Sequence, residues 1–376
     1  MPTTVPVEIT DPTNARILAI SEDRIAGFLP DPFAEIARRA ELPLEVILER
    51  IRAMLSAGTI RRVRQTLMAT NLAPGALIAW RVPSERLDAA FDYMVHDDPF
   101  SGHVVIRSTD TETTGSAYRL WTTLKVPQGF SMQRHCEFLA RQVGADAFRV
   151  MPAERLFALG VGHVRRRGMA PGSKTDELGR VMDTHIVTLS DAEWRVLEPL
   201  KREFAPEEIR ANPWRARAEE AGVSLDEFLR VAASLNERGV IGRFSTFLEH
   251  VKPSAGGERV TRYNALFHWR IPPGREIEAG REIGRHHILT HAYWREGGPE
   301  FSNVNLMAVA HGTEKSVLLA HKAAIDEHLA AVGIPVSYTN VFWGGRSEIK
   351  PSEISPVAYE AWCRRVGIEP QTAREL

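Results

Sequence analysis

Apolar residues recur along this chain in two alternating periods. In Leu44–Ser56 (LEVILERIRAMLS) they fall three and four apart, the spacing of a helix with one buried face. Gly58 ends that pattern, and Ile60-Arg61-Arg62-Val63 continues as a strand. Two helices precede it: Asn14–Ile20, after the turn-forming Asp11-Pro12, and Pro32–Arg39, with proline in the first turn where its missing N–H costs little. Three short helices and a strand predict a winged helix-turn-helix. The pattern returns as Asp191–Lys201, Pro213–Ala221 and Ser224–Glu237, then Gly239 and the strand Val240–Phe244. Gly58-Thr59-Ile60-Arg61-Arg62 against Gly239-Val240-Ile241-Gly242-Arg243 gives an offset of 239 − 58 = 181, and Pro32-Phe33 against Pro213-Trp214 keeps it. Ser224, with Glu227 three residues on, reads as a capping box.

Each helical module is followed by a segment of period two interrupted by two helices. In the first half the slots are Ala76–Val82, Glu85–Val95, Gly102–Ser108, Tyr118–Val126, Met132–Val143 and Phe148–Met151. In the second they are Arg262–Ile271, Glu276–Arg285, Ile288–Glu296, Asn303–His311, Glu314–Val332 and Val336–Trp343. This β-α-β-β-α-β order predicts a ferredoxin-like module in each half. The expected fold class is therefore α+β, a tandem duplication of a winged helix-turn-helix module and a ferredoxin-like module, forming a pseudo-dimer on one chain. The expected boundaries are 1–70 and 71–164 for the first pair, a Gly/Pro-rich charged linker at 165–184, and 185–251 and 252–350 for the second pair. The stretch after Trp343 reads as a loop and a short helix, Pro356–Val366, and residues 351–376 form a C-terminal tail.

Composition narrows the class. A chain of 376 residues with 44% apolar and 25% charged residues has the balance of a globular protein. A net charge of −1 supplies no general attraction for nucleic acid. The starts of both third helices, Leu42-Pro43-Leu44-Glu45 and Ser224-Leu225-Asp226-Glu227, are acidic or apolar where a DNA reader needs Arg, Lys, Asn or Gln. Residues 11–62 hold eight acids and eight bases, so DNA binding is not expected. Cys136 and Cys363 stand in no metal or redox spacing and fit a reduced cytoplasmic compartment. No apolar run reaches the roughly 20 residues of a membrane span, and the start of the chain lacks the features of a signal peptide.

The candidate chemistry lies on the hairpin Ile288–Gly312, where His291, Tyr293 and Arg295 alternate onto one strand face and His311 closes the next strand. His103 and Arg107 repeat the spacing of His291 and Arg295, at an offset of 291 − 103 = 188. Positions i and i+4 of a strand lie about 13 Å apart on one face. That separation suits two points of one large flat ligand and is too long for His and Arg to grip the same small group. The bland alternative is that each His ends a strand and each Arg pairs with a surface acid. His311 has no copy, since Lys125 occupies its slot in the first half. His321 and His328, seven apart on one helix, read as surface or interface residues, and no tight metal spacing occurs. Arg165 and Arg166 offer charge to an anionic ligand, though a solvated linker explains them equally well. Trp80, Trp121, Trp269, Trp294 and Trp343 all fall on strands, where core packing is the default; Trp294, between Tyr293 and Arg295, is carried as a ligand-lining candidate.

The helical and sheet modules together resemble the Lrp/AsnC regulators, and several motifs are closer to one branch of them, the siroheme decarboxylases. These are Phe28-Leu29-Pro30-Asp31-Pro32-Phe33, the strand end Ala79-Trp80-Arg81-Val82-Pro83 and its copy His268-Trp269-Arg270-Ile271-Pro272. Most specific is Thr290-His291-Ala292-Tyr293 with Arg295, then Asn305-Leu306-Met307-Ala308-Val309-Ala310-His311-Gly312, similar to the family's S-H-C-Y-x-R and N-L-F-x-M-V-H-G. Ala292 replaces the usual Cys, and the first half keeps only His103 and Arg107. The resemblance spans nearly the whole chain and matches a fused two-subunit form. It implies removal of acetate carboxyl groups from siroheme or a related modified tetrapyrrole. It places His291 and His311 in proton-transfer or iron-facing roles, with Arg295 and Arg107 as carboxylate clamps, Tyr293 as a hydrogen-bonding wall, and His103, Trp294, Arg165 and Arg166 beside the substrate. It implies no cofactor beyond the iron tetrapyrrole substrate, no metal site of the protein's own, and leaves room for a homodimer of the fused chain. The rival expectations are a transcription regulator and a non-catalytic tetrapyrrole-binding protein.

Overall fold

The computed structural model describes residues 5–159, 168–183, 185–249 and 261–374. The fold is mixed α/β, and the described residues form two compact units, each assembled from both halves of the sequence. Among them no helix is long and apolar enough to cross a membrane.

The first unit holds the helices α1 (Pro12–Ser21), α2 (Pro32–Ala40), α3 (Leu44–Ser56), α6 (Asp191–Lys201), α7 (Trp214–Ala221) and α8 (Leu225–Glu237). Its sheet has the order β1 (Ile25–Ala26), β8 (Ile241–Leu248), β2 (Ile60–Leu67), so the strand after each helical run pairs with its copy, Val63 opposite Thr246. Phe33 and Trp214, the residues that share the repeat offset, both pack on Phe204, with ring centroids 6.3 and 5.5 Å away. The Asp11 side chain caps α1 by accepting from Thr13 and Asn14, so the helix starts two residues earlier than expected. Ser224 caps α8 through the Glu227 N–H, but the return bond of the expected capping box is not formed there. The reciprocal pair sits at Ser190 and Glu193, before α6.

The second unit is one sheet of nine strands. In chain order they are β3 (Gly75–Arg81), β4 (Ser101–Thr109), β5 (Leu120–Lys125), β6 (Ala147–Pro152), β7 (Arg155–Leu159), β9 (Tyr263–Arg270), β10 (Leu289–Trp294), β11 (Leu306–Gly312) and β12 (Tyr338–Ile349). Their spatial order is β6-β3-β5-β4-β12-β9-β11-β10-β7. The first four and the next four repeat one arrangement, with the fourth strand beside the first and the third between first and second. The two end strands, β6 and β7, are separated in the chain only by Ala153 and Glu154, a gap of at most about 10 Å. Nine strands laid flat would hold their edges roughly 38 Å apart, so the sheet curls until its ends meet.

Two strands make that closure, and neither was legible in full. β7 was not expected at all, and β12 runs to Ile349 where a loop was expected after Trp343. β12 pairs with β9 over Tyr338–Gly344 and with β4 of the other half from Phe342, opposite Thr109, to Ile349, opposite His103. The β6–β7 segment does the same in reverse: Met151 pairs with Leu77 on β3, and Leu159 pairs with His291 on β10.

Side chains on one face of each strand point outward to helices. α4 (Leu87–His96), α5 (Met132–Val143) and the tail helix α11 (Pro356–Arg365) cover the first half, with a core around Trp80, Phe100, Phe130 and Leu139. α9 (Glu276–Ile283) and α10 (Lys315–Ala331) cover the second, around Phe267, Trp269 and Leu318. The opposite face gives a third core drawn from both halves: Ala79, Val105, Trp121, Met151, Leu266, Phe301, Met307 and Phe342. His321, read as a surface or interface residue, is buried on α10, where its face of the helix meets the segment after residue 168.

α9 lies against β7 so closely that a Cβ on Gly280 would stand 2.2 Å from the Phe157 ring. Gly280→Ala is therefore expected to lower stability by about 1–3 kcal/mol through forced separation of helix and strand, read as a reduced urea midpoint; an unchanged midpoint would show that this contact does not limit the packing.

Candidate functional site

β10 presents its polar residues to the interior in single file. Ala292 packs into the helix-side core, while His291, Tyr293 and Arg295 take the other face. The His291 and Tyr293 rings are stacked, 6.0 Å apart and inclined by 9°. The Arg295 guanidinium lies 4.4 Å from the centre of the Tyr293 ring. Trp294, carried as ligand-lining, is corrected: strand alternation turns it to the helix side, where it packs on that core and its indole N–H donates to Glu296.

The strand is bulged just before His291, so that Leu289 faces Ala310 and His291 faces Val309. The extra residue, Thr290, is buried, and its hydroxyl donates to the Val309 carbonyl at 3.2 Å while lying 3.0 Å from His291 Nδ1. His311 is two residues from Val309 on the same face of β11, which makes the two histidines diagonal neighbours roughly 7 Å apart.

A second set of groups crosses four strands in one register. Arg107 on β4 faces Gly344 on β12, Gly344 faces Asn264 on β9, and Asn264 faces His311 on β11. The guanidinium spans the glycine: Arg107 Nη1 donates to Asn264 Oδ1 at 3.0 Å and to the Phe342 carbonyl at 3.2 Å. A Cβ at Gly344 would stand 3.1 Å from Asn264 Cβ, so a side chain there would crowd that crossing. Asn264 Nδ2 lies 3.5 Å from His311 Nε2. The row thus joins Arg107, from the first hairpin, to His311, from the second.

Both arginines of the repeated H-x-x-x-R motif are buried, Arg107 at 4% and Arg295 at 8% exposure. Each donates to a carbonyl of the crossing strand, Arg107 to Phe342 and Arg295 to Met151. Neither has a carboxylate partner among the described residues. Burial pushes Arg107 down to about 9 and lowers Arg295, which Tyr293 partly offsets. Arg107 Nε makes no hydrogen bond at all.

The first half departs from this arrangement. His103 follows a bulge of its own, but Gly102 stands in the place of Thr290, and His103 Nε2 meets Ser347 Oγ at 2.8 Å. Gly75 faces Lys125 where Asn264 faces His311 in the second half. Arg165 and Arg166 lie outside the described residues. The sequence reading missed Asn264, Gly344 and His268. Asn264 and His268 share one face of an otherwise apolar strand, four residues apart, the same spacing that singled out His291 and Arg295. His268 is fully buried against Phe342, 4.7 Å between rings, with neither ring nitrogen hydrogen-bonded, and burial takes it down to about 3.

Other polar clusters are structural. Asp98, His135 and Tyr359 form a buried chain under the tail, with His135 Nδ1 2.9 Å from the Tyr359 hydroxyl and Nε2 3.5 Å from Asp98. Burial alone would raise Asp98; His135 and the Phe100 and Ser101 contacts hold it below the usual carboxylate range. Clefts of about 320 and 440 Å³ border α9 and this tail, and none of the residues expected from the sequence to form the site lines them. Among the described residues, no group of three or more His, Cys, Asp or Glu is placed to hold a metal ion.

Residues 73–158 match the AsnC-like ligand binding domain. A siroheme decarboxylase of Hydrogenobacter thermophilus is 26% identical over 322 residues, 84% of this chain and 88% of that protein. A siroheme decarboxylase beta subunit of Desulfovibrio desulfuricans is 24% identical over 132 residues, 32% of this chain and 79% of the subunit. Among solved structures, the siroheme decarboxylase NirDL has the same fold, with a TM-score of 0.65 at 20% identity over 94% of this chain and 98% of that one. A co-complex of NirDL with an iron-uroporphyrin III analogue scores 0.64. The long match to a single-chain enzyme and the shorter match to a separate subunit agree: over most of its length the chain is similar to siroheme decarboxylases, in a fused single-chain form.

Proposed function

We infer that this chain is a carboxy-lyase that removes acetate carboxyl groups from siroheme or a closely related iron tetrapyrrole. The observation that carries the reading is Arg107, a buried cation with only neutral acceptors beside it. An uncompensated buried charge costs several kcal/mol, and a substrate bearing several carboxylates offsets that cost when it binds. The guanidinium suits a carboxylate because it offers two parallel N–H donors.

The reaction fits the neighbouring groups. An acetate side chain loses CO2 and gains one proton at its methylene carbon, leaving a methyl group. The change is redox-neutral, so no cofactor is needed beyond the iron tetrapyrrole substrate itself. An imidazole is the side chain suited to deliver a proton near neutral pH, and His291 and His311 lie within one patch. Tyr293 and Arg295 continue that patch along β10, and His103 belongs to the altered copy. In this reading the chain is a tandem pseudo-dimer: the first unit derives from two winged helix-turn-helix modules and the sheet from two ferredoxin-like modules. Acidic first turns in α3 and α8 argue against DNA as a ligand.

Mixing the purified protein anaerobically with siroheme is expected to shift its Soret band and to yield product lighter by one or two CO2 in mass spectra; a protein that does neither is not this enzyme. His291→Ala is expected to retain the Soret shift while turnover falls about 10²–10⁴-fold, which separates catalysis from simple carriage. Arg107→Gln is expected to weaken siroheme binding about 10–100-fold, the loss of a charge-assisted hydrogen bond, in a spectrophotometric titration.

A further inference from the structure

The Asn264 amide has one orientation that satisfies both of its neighbours. A guanidinium carries N–H groups and no acceptor, so the amide oxygen must face Arg107, where it lies 3.0 Å from Nη1. The amide nitrogen is then the end that faces His311 Nε2, at 3.5 Å. An amide N–H donates, so Nε2 supplies the lone pair, and the ring hydrogen of His311 sits on Nδ1. A second proton, on Nε2, would set one N–H against another, with the Arg107 charge just beyond.

The other histidine is connected in the opposite sense. The Val309 carbonyl can only accept, so the Thr290 hydroxyl spends its hydrogen there. The Thr290 oxygen therefore accepts from His291 Nδ1–H. That bond exists whether the ring is neutral or charged. His291 thus gains and loses a proton at Nε2 without losing its hold on Thr290.

We propose that Asn264 is a positioning residue that divides the histidine pair, fixing His311 as the neutral Nδ1–H tautomer and leaving His291 as the ring that carries the transferable proton. The assignment of tautomers stands on hydrogen-bond direction; its consequence for turnover rests on the decarboxylase reading. In that reaction the charged His291 gives its Nε2 proton to the methylene carbon of an acetate as the bond from that carbon to the carboxylate breaks. The electron pair of the broken bond becomes the new C–H bond, CO2 leaves, and solvent reprotonates His291. His311 contributes a fixed Nδ1–H donor and no proton. The first half has neither connection, because Gly75, Lys125 and Gly102 replace Asn264, His311 and Thr290.

The test is ¹⁵N NMR of the histidine rings in the full chain at neutral pH, with signals assigned through His291→Ala and His311→Ala. His311 is expected to show the Nδ1–H tautomer. Asn264→Asp gives the ring an acceptor in place of a donor and is expected to move the His311 hydrogen to Nε2; Asn264→Ala is expected to leave a mixture. Both variants should keep the His291 signals, which report intact folding. In parallel, Asn264→Asp is expected to lower kcat roughly 10–100-fold, as loss of an orienting partner does, with a smaller change in siroheme Kd. Wild-type His311 found with hydrogen on Nε2, or doubly protonated, overturns the proposal even if neither variant folds. Unaltered kcat in a folded Asn264→Asp enzyme overturns the positioning role. A wild-type protein that does not turn over siroheme removes the decarboxylase reading and leaves the tautomer result to stand by itself.

Discussion

The second unit depends on strand exchange. Each half builds four strands and leaves the edge formed by its second strand open: β4 in the first half, β10 in the second. The open edge is covered by the other half's last strand, which continues past its own module, β12 over β4 and β7 over β10. Backbone N–H and C=O groups on those edges would otherwise lack partners. Closing both seams removes the edges and creates a single interior lined by both halves, so the candidate site is a product of closure and not of either half.

The buried arginines fit that origin. Arg107 and Arg295 sit at equivalent places, each donating to a carbonyl of the strand that arrives from elsewhere in the sheet. A motif that repeats for this reason has a structural duty in both copies. What differs is the surroundings. Asn264 extends the Arg107 contact to His311 through its side-chain amide, whereas Arg295 reaches His291 through the stacked Tyr293 ring. The two halves share the seams and differ in the groups around them.

Helices and strands inside each module were readable because their apolar periods are local. Leu44–Ser56 on α3 matched to the residue, and the offset pair Phe33 and Trp214 met in one core. The face of His291, Tyr293 and Arg295 followed from strand alternation alone, and the same rule should have excluded Trp294. Pairing between halves was not readable. Arg155–Leu159 and the segment after Trp343 are short and mixed in polarity, and they become strands only because an edge from the other half awaits them. Asn264 and Gly344 escaped notice for a related reason: a small amide and a glycine carry meaning only once the register sets them between Arg107 and His311.

Strand exchange also sets a clock for biosynthesis. β4 ends at Thr109, and the part of β12 that covers it begins at Phe342, which is 233 residues later by subtraction. At translation rates of roughly 5–20 residues per second, the first half waits on the order of ten seconds with an uncovered edge before its partner strand exists. Fusion into one polypeptide makes that wait independent of protein concentration, since the strand that ends it is already tethered to the strand that needs it.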